Sequence, residues 1–295
     1  MLKSKNYSSC PAFDPNPALP SQETPANACD THMHICGPRT KYSYSKNRIY
    51  TPPDSLLPDY LRLTQVLKIG RVVFIQPSVY GDDNTVMRKA MAECPLPNRG
   101  IVVLRPNASE EEIATLHSEG VRGVRFNLVD VKNPKKRLPI QEMKKVAKRI
   151  LPFGWHIELL LHVDNYPHLD DELSDIPVDI VVGHLGYFHP KKTPEDNGFK
   201  ALINLMKAKR CWTKLTGPYR LSTKKYPYKN VTHFATCLIE EAIDQVIWGS
   251  DWPHVCIKTP MPNDGKLLDL LSIWSGAPEI YHKILVENPA RLYDF

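Results

Sequence analysis

The sequence predicts a (β/α)8 barrel, and three observations carry this prediction. Eight short apolar runs rich in β-branched residues alternate with eight longer runs that are compatible with helices. Polar side chains follow most of the short runs, as expected where barrel strands deliver reactive groups to one end. A doubly wound open sheet is the main alternative, but no glycine-rich phosphate-binding motif follows an early strand.

The strands and helices are predicted from apolar patterning and capping signals. The predicted strands span residues 28–32, 71–76, 100–104, 123–126, 156–162, 178–184, 211–216 and 245–250. The predicted helices span residues 55–69, 83–93, 109–119, 140–151, 166–175, 197–209, 230–243 and 264–275. Residues 72–75 and 180–182 are uninterrupted apolar runs, which is typical of parallel strands covered on both faces. Ser109 precedes Glu112 by three residues, the spacing of a capping box.

The length and composition favour one globular domain that acts on a small molecule. Residues 28–295 form the predicted barrel, and the proline- and serine-rich residues 1–27 form an extended N-terminal arm. The net charge of +6 is dispersed, which fits an anionic small substrate better than a nucleic acid. The densest basic patch, residues 132–137, has no interleaved aromatic residues and is expected to be a solvated loop.

Cysteine usage and hydropathy indicate the compartment. The seven cysteines are scattered and form no CxxC pair, which is typical of a reducing environment. No apolar stretch reaches the roughly 18 residues that a membrane-spanning helix needs. We therefore expect a cytoplasmic protein without a membrane segment, and the sequence predicts no particular oligomeric state.

Polar side chains at three predicted strand ends form the candidate reaction centre. His32 and His34 end the first strand, and residues i and i+2 of an extended backbone face the same side. His184 ends the sixth strand, between two glycines that let the backbone approach a ligand. Asp251 follows the eighth strand, where an ionised carboxylate needs partners or a chemical role. These four residues together are expected to grip one ion or one oxygen atom.

Two further histidines have less defined roles. If the fifth strand runs to His162, its side chain shares a face with Glu158 and points inward. A supporting or structural role is then at least as well founded as direct contact with substrate. His254, three residues after Asp251, is a candidate partner of that carboxylate.

Longer strings resemble the amidohydrolase superfamily and, more closely, its 2-pyrone-4,6-dicarboxylate lactonase branch. The strings are residues 30–38, 123–127, 220–222, 247–254 and 288–293. The resemblance begins near residue 10 and continues to the end of the chain. Its most specific piece is Trp-Gly-Ser-Asp-Trp-Pro at 248–253, which marks the wider lactonase group rather than one substrate.

This resemblance implies hydrolysis of a carboxylated lactone, either 2-pyrone-4,6-dicarboxylate or a related compound. It implies that the three histidines polarise the lactone carbonyl and that Asp251 activates water as the general base. It also implies that several side chains bind the substrate carboxylates, with arginine suited to bidentate contact. These residues are Tyr50, Ser78, Arg125 and Arg220.

Two departures from the family pattern fall in the implied substrate pocket. A further arginine is replaced by Val131, with Lys132 adjacent, and an expected tyrosine is replaced by Leu160. Lys132 is therefore a candidate to supply one charge contact. The departures leave open a substrate with one anionic group fewer, or a sulfonated or sugar-acid lactone.

Three alternative functions remain open at this point. The resemblance implies a reaction without a cofactor, but many relatives bind one divalent ion through the same four residues. A Zn²⁺-dependent hydrolase or decarboxylase is thus the first alternative, and no predicted strand end offers a lysine to bridge two metals. A lactone isomerase is the second. A barrel that only binds its ligand is the third, but it would be expected to lack one of the four residues.

Overall fold

The computed structural model describes residues 7–131 and 137–295, and its centre is an eight-stranded parallel sheet. In chain order the strands are β1 (Cys29–Met33), β2 (Arg71–Ile75), β3 (Asn98–Val102), β4 (Val121–Asn127), β5 (His156–Leu160), β6 (Ile180–Val182), β7 (Cys211–Leu215) and β8 (Val246–Trp248). Each strand pairs with the next one along the chain. The predicted (β/α)8 barrel is confirmed.

The first strand and the segment after the last one close the barrel. An isolated parallel bridge joins Met33 to Trp252. Beside it, the Asp30 carboxylate accepts hydrogen bonds from the backbone nitrogen of Ser250 at 2.9 Å and from its hydroxyl at 2.6 Å. These contacts hold the end of β1 against the residues that follow β8, where two parts of the candidate site meet.

Helices flank the strands in the part of the chain that the structure describes. They are α1 (Leu57–Leu67), α2 (Thr85–Glu93), α3 (Glu110–Ser118), α4 (Ile140–Ile150), α5 (Leu169–Leu173), α6 (Asn197–Lys207), α7 (Lys229–Ala242) and α8 (Asp264–Ser275). Shorter elements are the helices Pro218–Leu221, Pro278–His282 and Asn288–Tyr293 and the paired strands Ser8–Ser9 and Tyr50–Thr51. The Ser109 hydroxyl caps α3 by accepting from the Glu112 backbone nitrogen at 3.0 Å.

Two apolar clusters fill the fold. Alternate residues of a strand belong to different clusters: Val72 and Phe74 to the larger, Val73 and Ile75 to the smaller. Because successive side chains of a strand face opposite ways, the larger cluster lies between barrel and helices and the smaller fills the barrel interior. Tyr293, from the last helix, joins the interior cluster.

Residues 7–27 run along the barrel largely without regular secondary structure. The ring of Phe13 packs on Trp252 with 4.9 Å between ring centroids. The Cys10 thiol accepts a hydrogen bond from the backbone nitrogen of Cys256 at 3.2 Å. These contacts bring the arm to the loop that follows β8.

All seven cysteines lie in the described part of the chain and are free thiols. Among residues 7–131 and 137–295, no helix has both the length and the apolar character needed to cross a bilayer. The cytoplasmic location stays a prediction. Most of the basic patch at 132–137 falls outside the described residues.

Candidate active site

The structure brings the four predicted reaction-centre residues together at the carboxyl ends of β1, β6 and β8. Oδ1 of Asp251 lies 3.7 Å from Nε2 of His32 and 4.0 Å from Nε2 of His184. The ring of His34 stands edge-on to that of His32, with 5.0 Å between centroids. All four side chains are buried, so their charges interact with little screening by solvent.

Local backbone features make this convergence possible. A Cβ at Gly249 would lie 2.6 Å from the Cβ of His32, so only glycine lets β8 approach β1 this closely. The backbone nitrogen of Asp251 then donates to the carbonyl of His32 at 2.8 Å. Asp251 and His184 both have positive φ, 66° and 51°, a strained conformation for residues other than glycine. Such strain is often concentrated at functional sites.

The two oxygens of Asp251 have different environments. Oδ2 accepts from Nε of Arg220 at 2.7 Å and from the hydroxyl of Tyr219, whereas Oδ1 faces the histidines. Burial alone would raise the pKa of Asp251, but the Arg220 guanidinium and the neighbouring histidines hold that pKa below its ordinary value. Asp251 is therefore ionised at neutral pH, with Oδ1 as the oxygen that is open for chemistry.

A chain of hydrogen bonds leads away from Asp251. Because the Tyr219 hydroxyl donates to Asp251, it accepts from Nδ1 of His254 at 2.8 Å. Nε2 of His254 lies 3.0 Å from Oδ1 of Asp264, at the start of α8. His254, expected from the sequence as a partner of Asp251, reaches that carboxylate through Tyr219, which the sequence did not single out.

The histidines differ in which ring nitrogen carries the proton. Nδ1 of His34 lies 2.8 Å from the carbonyl oxygen of Ile75, which can only accept, so Nδ1 is protonated and Nε2 presents a lone pair. Nδ1 of His184 contacts the Thr216 hydroxyl at 2.7 Å, which allows either tautomer. Burial lowers the pKa of both His34 and His184 to about 3, so both rings are neutral at pH 7.

A buried ion pair lies beneath His32. Nζ of Lys214, on β7, contacts Oε2 of Glu158, on β5, at 2.6 Å and donates to the Thr31 carbonyl at 2.7 Å. The other carboxylate oxygen, Oε1, lies 3.6 Å from Nδ1 of His32. Lys214 lies within its strand rather than at its end. Both charged residues were missed from the sequence as contributors to the site, although a charge in the middle of an apolar barrel strand signals a buried partner.

A small pocket opens above the reaction centre. The predicted substrate contacts that line it are Tyr50, Ser78, Arg125 and Arg220. Arg125 donates through Nη1 to the Gln76 carbonyl at 2.8 Å, while its buried Nε has no partner among the described residues. The Arg125 guanidinium therefore has no carboxylate partner among the described residues, whereas Arg220 is already paired with Asp251.

Other residues fall where the sequence did not predict them. Asp130 and Tyr187 line the pocket beside Leu160, and neither was singled out from the sequence. The condition under which His162 was expected to point inward is not met, because β5 ends at Leu160, and Nδ1 of His162 contacts the carbonyl oxygen of Tyr187 at 2.6 Å. Val131 is 37% exposed and does not line the pocket. Lys132 lies outside the described residues.

The residues at the centre also fit a single divalent cation. One ligand atom each from His32, His34 and Asp251 lie within 4.8 Å of one another. Both ring nitrogens of His32 are buried without a hydrogen-bond partner in the described chain, and Nε2 of His34 offers a lone pair. Imidazole and carboxylate ligands are those that zinc takes in catalytic sites.

A parallel barrel with histidine and aspartate at its strand ends defines a barrel enzyme of the amidohydrolase type. The sequence model of the amidohydrolase family matches residues 29–295. The chain belongs to this family, and the predicted resemblance is confirmed.

Two curated relatives and one solved structure are similar over nearly the whole chain. A 2-pyrone-4,6-dicarboxylate hydrolase of Comamonas testosteroni is 34% identical, covering 94% of this chain and 93% of the relative. A 4-sulfomuconolactone hydrolase of Hydrogenophaga intermedia is 35% identical, covering 91% of this chain and 89% of the relative. An Agrobacterium tumefaciens protein solved in its apo form superposes with a TM-score of 0.85 at 26% identity, covering 94% of this chain and 99% of the other.

Proposed function

We propose that this enzyme hydrolyses a lactone that carries one or two anionic groups, such as 2-pyrone-4,6-dicarboxylate or a related compound. The observation that carries the proposal is the environment of Asp251. Its Oδ2 is held by Arg220 and Tyr219, and its Oδ1 is directed at the histidines beneath a pocket that Arg125 lines. The activities of the two curated relatives, both hydrolases of anionic lactones by name, support the same reaction class.

The proposed reaction needs a base, an oxyanion site and a leaving group. Asp251 Oδ1 accepts a proton from water as the water oxygen bonds to the lactone carbonyl carbon. The carbonyl oxygen becomes an oxyanion among the rings of His32, His34 and His184. Collapse of this intermediate breaks the ring C–O bond, and the departing oxygen takes the proton back from Asp251. The product is an open-chain acid, which releases one proton at neutral pH.

Histidine tautomers decide which ring can donate to the oxyanion. His184 can donate through Nε2 when the Thr216 hydroxyl donates to its Nδ1. His34 donates through Nε2 only when its ring is protonated, because Nδ1 already carries the proton shared with Ile75. At neutral pH the oxyanion can therefore receive its hydrogen bond from His184, and His34 can add a second only after its ring takes up a proton from solvent.

We also propose that the reaction requires no resident metal. Burial lowers the pKa of His32, and the charges of Lys214 and Arg125 lower it further. Cationic side chains therefore act on this centre. Arg220 adds a third positive charge, bound to Asp251. Lys214 and Arg220 are each paired with a carboxylate, so Arg125 is the cation whose charge stabilises an oxyanion here and disfavours a dication.

The alternative is a divalent cation such as Zn²⁺, which the convergence of three ligand atoms favours. His32, His34 and Asp251 would hold it, with His184 close by. When bound, such an ion would supply Lewis acidity and a water of lowered pKa. Elemental analysis, with activity measured before and after chelation, distinguishes a reaction that needs no metal from one that needs a divalent cation. Unchanged activity in metal-free enzyme supports the proposal. Loss of activity that Zn²⁺ restores would overturn the proposal that no metal is required.

The reaction is tested with a panel of carboxylated and sulfonated lactones, by following ring opening and the proton released. Asp251→Asn should reduce turnover roughly 10²- to 10⁴-fold, the usual contribution of a general base, while ligand binding is retained. Undiminished turnover in this variant would overturn the assignment. Product analysis distinguishes hydrolysis from lactone isomerisation, which releases no proton and leaves the ring closed.

A further inference from the structure

The end of β4 delivers two opposite charges to the pocket. Arg125 lies within the strand, and Asp130 lies in the loop that follows it. Both residues line the same pocket above Asp251. Among the described residues Arg125 has no carboxylate partner: its Nη1 binds a backbone carbonyl and its Nε is unpartnered. The pocket therefore holds a positive and a negative group that do not neutralise each other by direct contact.

A turn built on Asn127 fixes the position of Asp130. The Asn127 side-chain oxygen accepts from the backbone nitrogens of Val129 at 3.0 Å and of Asp130 at 2.8 Å. Its side-chain nitrogen lies 3.2 Å from Oδ2 of Asp130. One carboxylate oxygen is thus held by the turn, and the carboxylate is half-buried at the pocket. An acid placed in this way is part of the pocket wall rather than a freely solvated side chain.

Asp130 also lines the pocket together with two tyrosine hydroxyls and acts on them electrostatically. Burial raises the pKa of both Tyr50 and Tyr187, and the negative charge of Asp130 raises it further. Both tyrosines line the pocket, as does the apolar Leu160. The next residue in the chain, Val131, does not line this pocket. It lines an adjoining groove, together with Asp82, Arg105 and Phe126, which we call the outer groove. This side of the pocket therefore presents an acceptor and an apolar surface.

The Asp130 carboxylate and the apolar surface beside it are unfavourable for binding a second anionic group of a substrate. An anion near Asp130 would meet a like charge in a partly desolvated pocket, which disfavours binding. A hydroxyl there would donate to the carboxylate, and a charge-assisted hydrogen bond of this kind is short and strong. The separated charges of Arg125 and Asp130 match a ligand with an anionic group at one end and a hydrogen-bond donor at the other.

We propose that Asp130 is a specificity-determining residue that selects a hydroxylated lactone bearing a single anionic group. The anionic group binds Arg125, and a ring or side-chain hydroxyl donates to Asp130. This inference rests on the proposed lactone hydrolysis and narrows its substrate class from lactones with one or two anionic groups to polyhydroxylated monoanions.

The test compares two lactones that differ in their numbers of carboxylates and hydroxyls. Galactarolactone has one carboxylate and several hydroxyls, and 2-pyrone-4,6-dicarboxylate has two carboxylates on a planar ring. The wild-type enzyme should open the hydroxylated probe with a kcat/KM at least about tenfold higher. Asp130→Asn keeps the shape and removes the charge, and it should shift the ratio of the two kcat/KM values about tenfold or more toward the dicarboxylate.

Asp82→Asn is the matched control, because Asp82 is an exposed acid in the outer groove and changes the net charge equally. This control should leave the ratio unchanged. Thermal unfolding of each variant, and the dissociation constant of each probe from calorimetry, separate specificity from misfolding. A wild-type preference for the dicarboxylate, or an unchanged ratio in Asp130→Asn, would overturn this inference alone. Ring opening retained in Asp251→Asn would instead overturn the proposed function on which it rests.

Discussion

Nε of Arg220 donates to Oδ2 of Asp251 at 2.7 Å, so a cation predicted to bind substrate is paired with the predicted general base. A second guanidinium nitrogen, Nη2, donates to the carbonyl of Val255 at 2.9 Å. The arginine is therefore fixed between the base and the loop after β8. We therefore expect its first effect to be on the proton affinity of Asp251, and its contact with substrate stays a prediction.

Replacing Arg220 with methionine is expected to change the pH dependence of the reaction as well as the affinity for substrate. The arginine lowers the pKa of Asp251, so its removal raises that pKa. Because the ionised carboxylate is the active form, the acidic limb of the kcat/KM profile should move to higher pH, and kcat should fall when measured below that limb.

Arg125→Met is the matched control, since it also removes one pocket guanidinium but not a partner of Asp251. We expect it to raise KM and leave the acidic limb in place. Identical pH profiles for the two variants would contradict the role assigned to Arg220.

Tyr219→Phe is expected to lower kcat about tenfold with little change in KM. Its hydroxyl donates to Asp251 and accepts from His254, and a hydrogen bond to a charged group is worth about 1.5–3 kcal/mol. Tyr219 is buried below the pocket and does not line it, so substrate affinity should be retained. Steady-state kinetics check this split. Tyr228→Phe, whose ring lies 6.5 Å from that of Tyr219, serves as the control and should behave as the wild type.

The barrel could be predicted from the sequence because each strand has its own local signature. The apolar runs at β2 and β6 identify strands that are covered on both faces. Strand ends were less predictable: β5 stops at Leu160 because Val163–Asn165 forms a 3₁₀ turn, although the apolar pattern continues to Val163. A side chain beyond the last ladder position, such as His162, then loses the orientation that the alternation would give it.

The reaction centre was predictable for a related reason. His32 lies in the last part of β1, His184 and Asp251 follow the apolar strands β6 and β8, and parallel strands bring such positions to one end of a barrel. Contacts across the barrel follow no such rule, so the pairing of Lys214 with Glu158 depends on a register that local patterns do not encode. Loop residues such as Asp130 were missed because only the folded turn directs them into the pocket.

Lys214→Met should destabilise the fold by about 3–5 kcal/mol, the cost of leaving one member of a buried ion pair without its partner. Both Lys214 and Glu158 are buried, and no solvent can replace the lost contact. Urea denaturation at neutral pH measures the effect. The double variant Lys214→Met with Glu158→Leu should recover most of the loss, because it removes the uncompensated charge. A single variant as stable as the wild type would contradict this account.

His156 makes the fold sensitive to acid independently of catalysis. Its ring is buried at the start of β5, neither nitrogen has a partner in the described chain, and burial lowers its pKa to about 3. In the unfolded chain this imidazole takes up a proton near pH 6.5, whereas in the folded protein it stays neutral. Above pH 6.5 the ring is neutral in both states, so its protonation costs the fold no stability there. Between pH 6.5 and about 3 the free energy of unfolding should fall by up to about 1.4 kcal/mol per pH unit from this residue.

His156→Leu should flatten this part of the stability profile, as measured by urea denaturation at a series of pH values. The buried histidines of the reaction centre also lower the free energy of unfolding in acid. The variants are therefore compared by the slope of that free energy against pH rather than by its absolute value. His168→Leu, at an exposed position, should retain the wild-type slope. If His156→Leu also kept that slope, the ring would have to be protonated at no cost in the folded state, contrary to its burial without a partner.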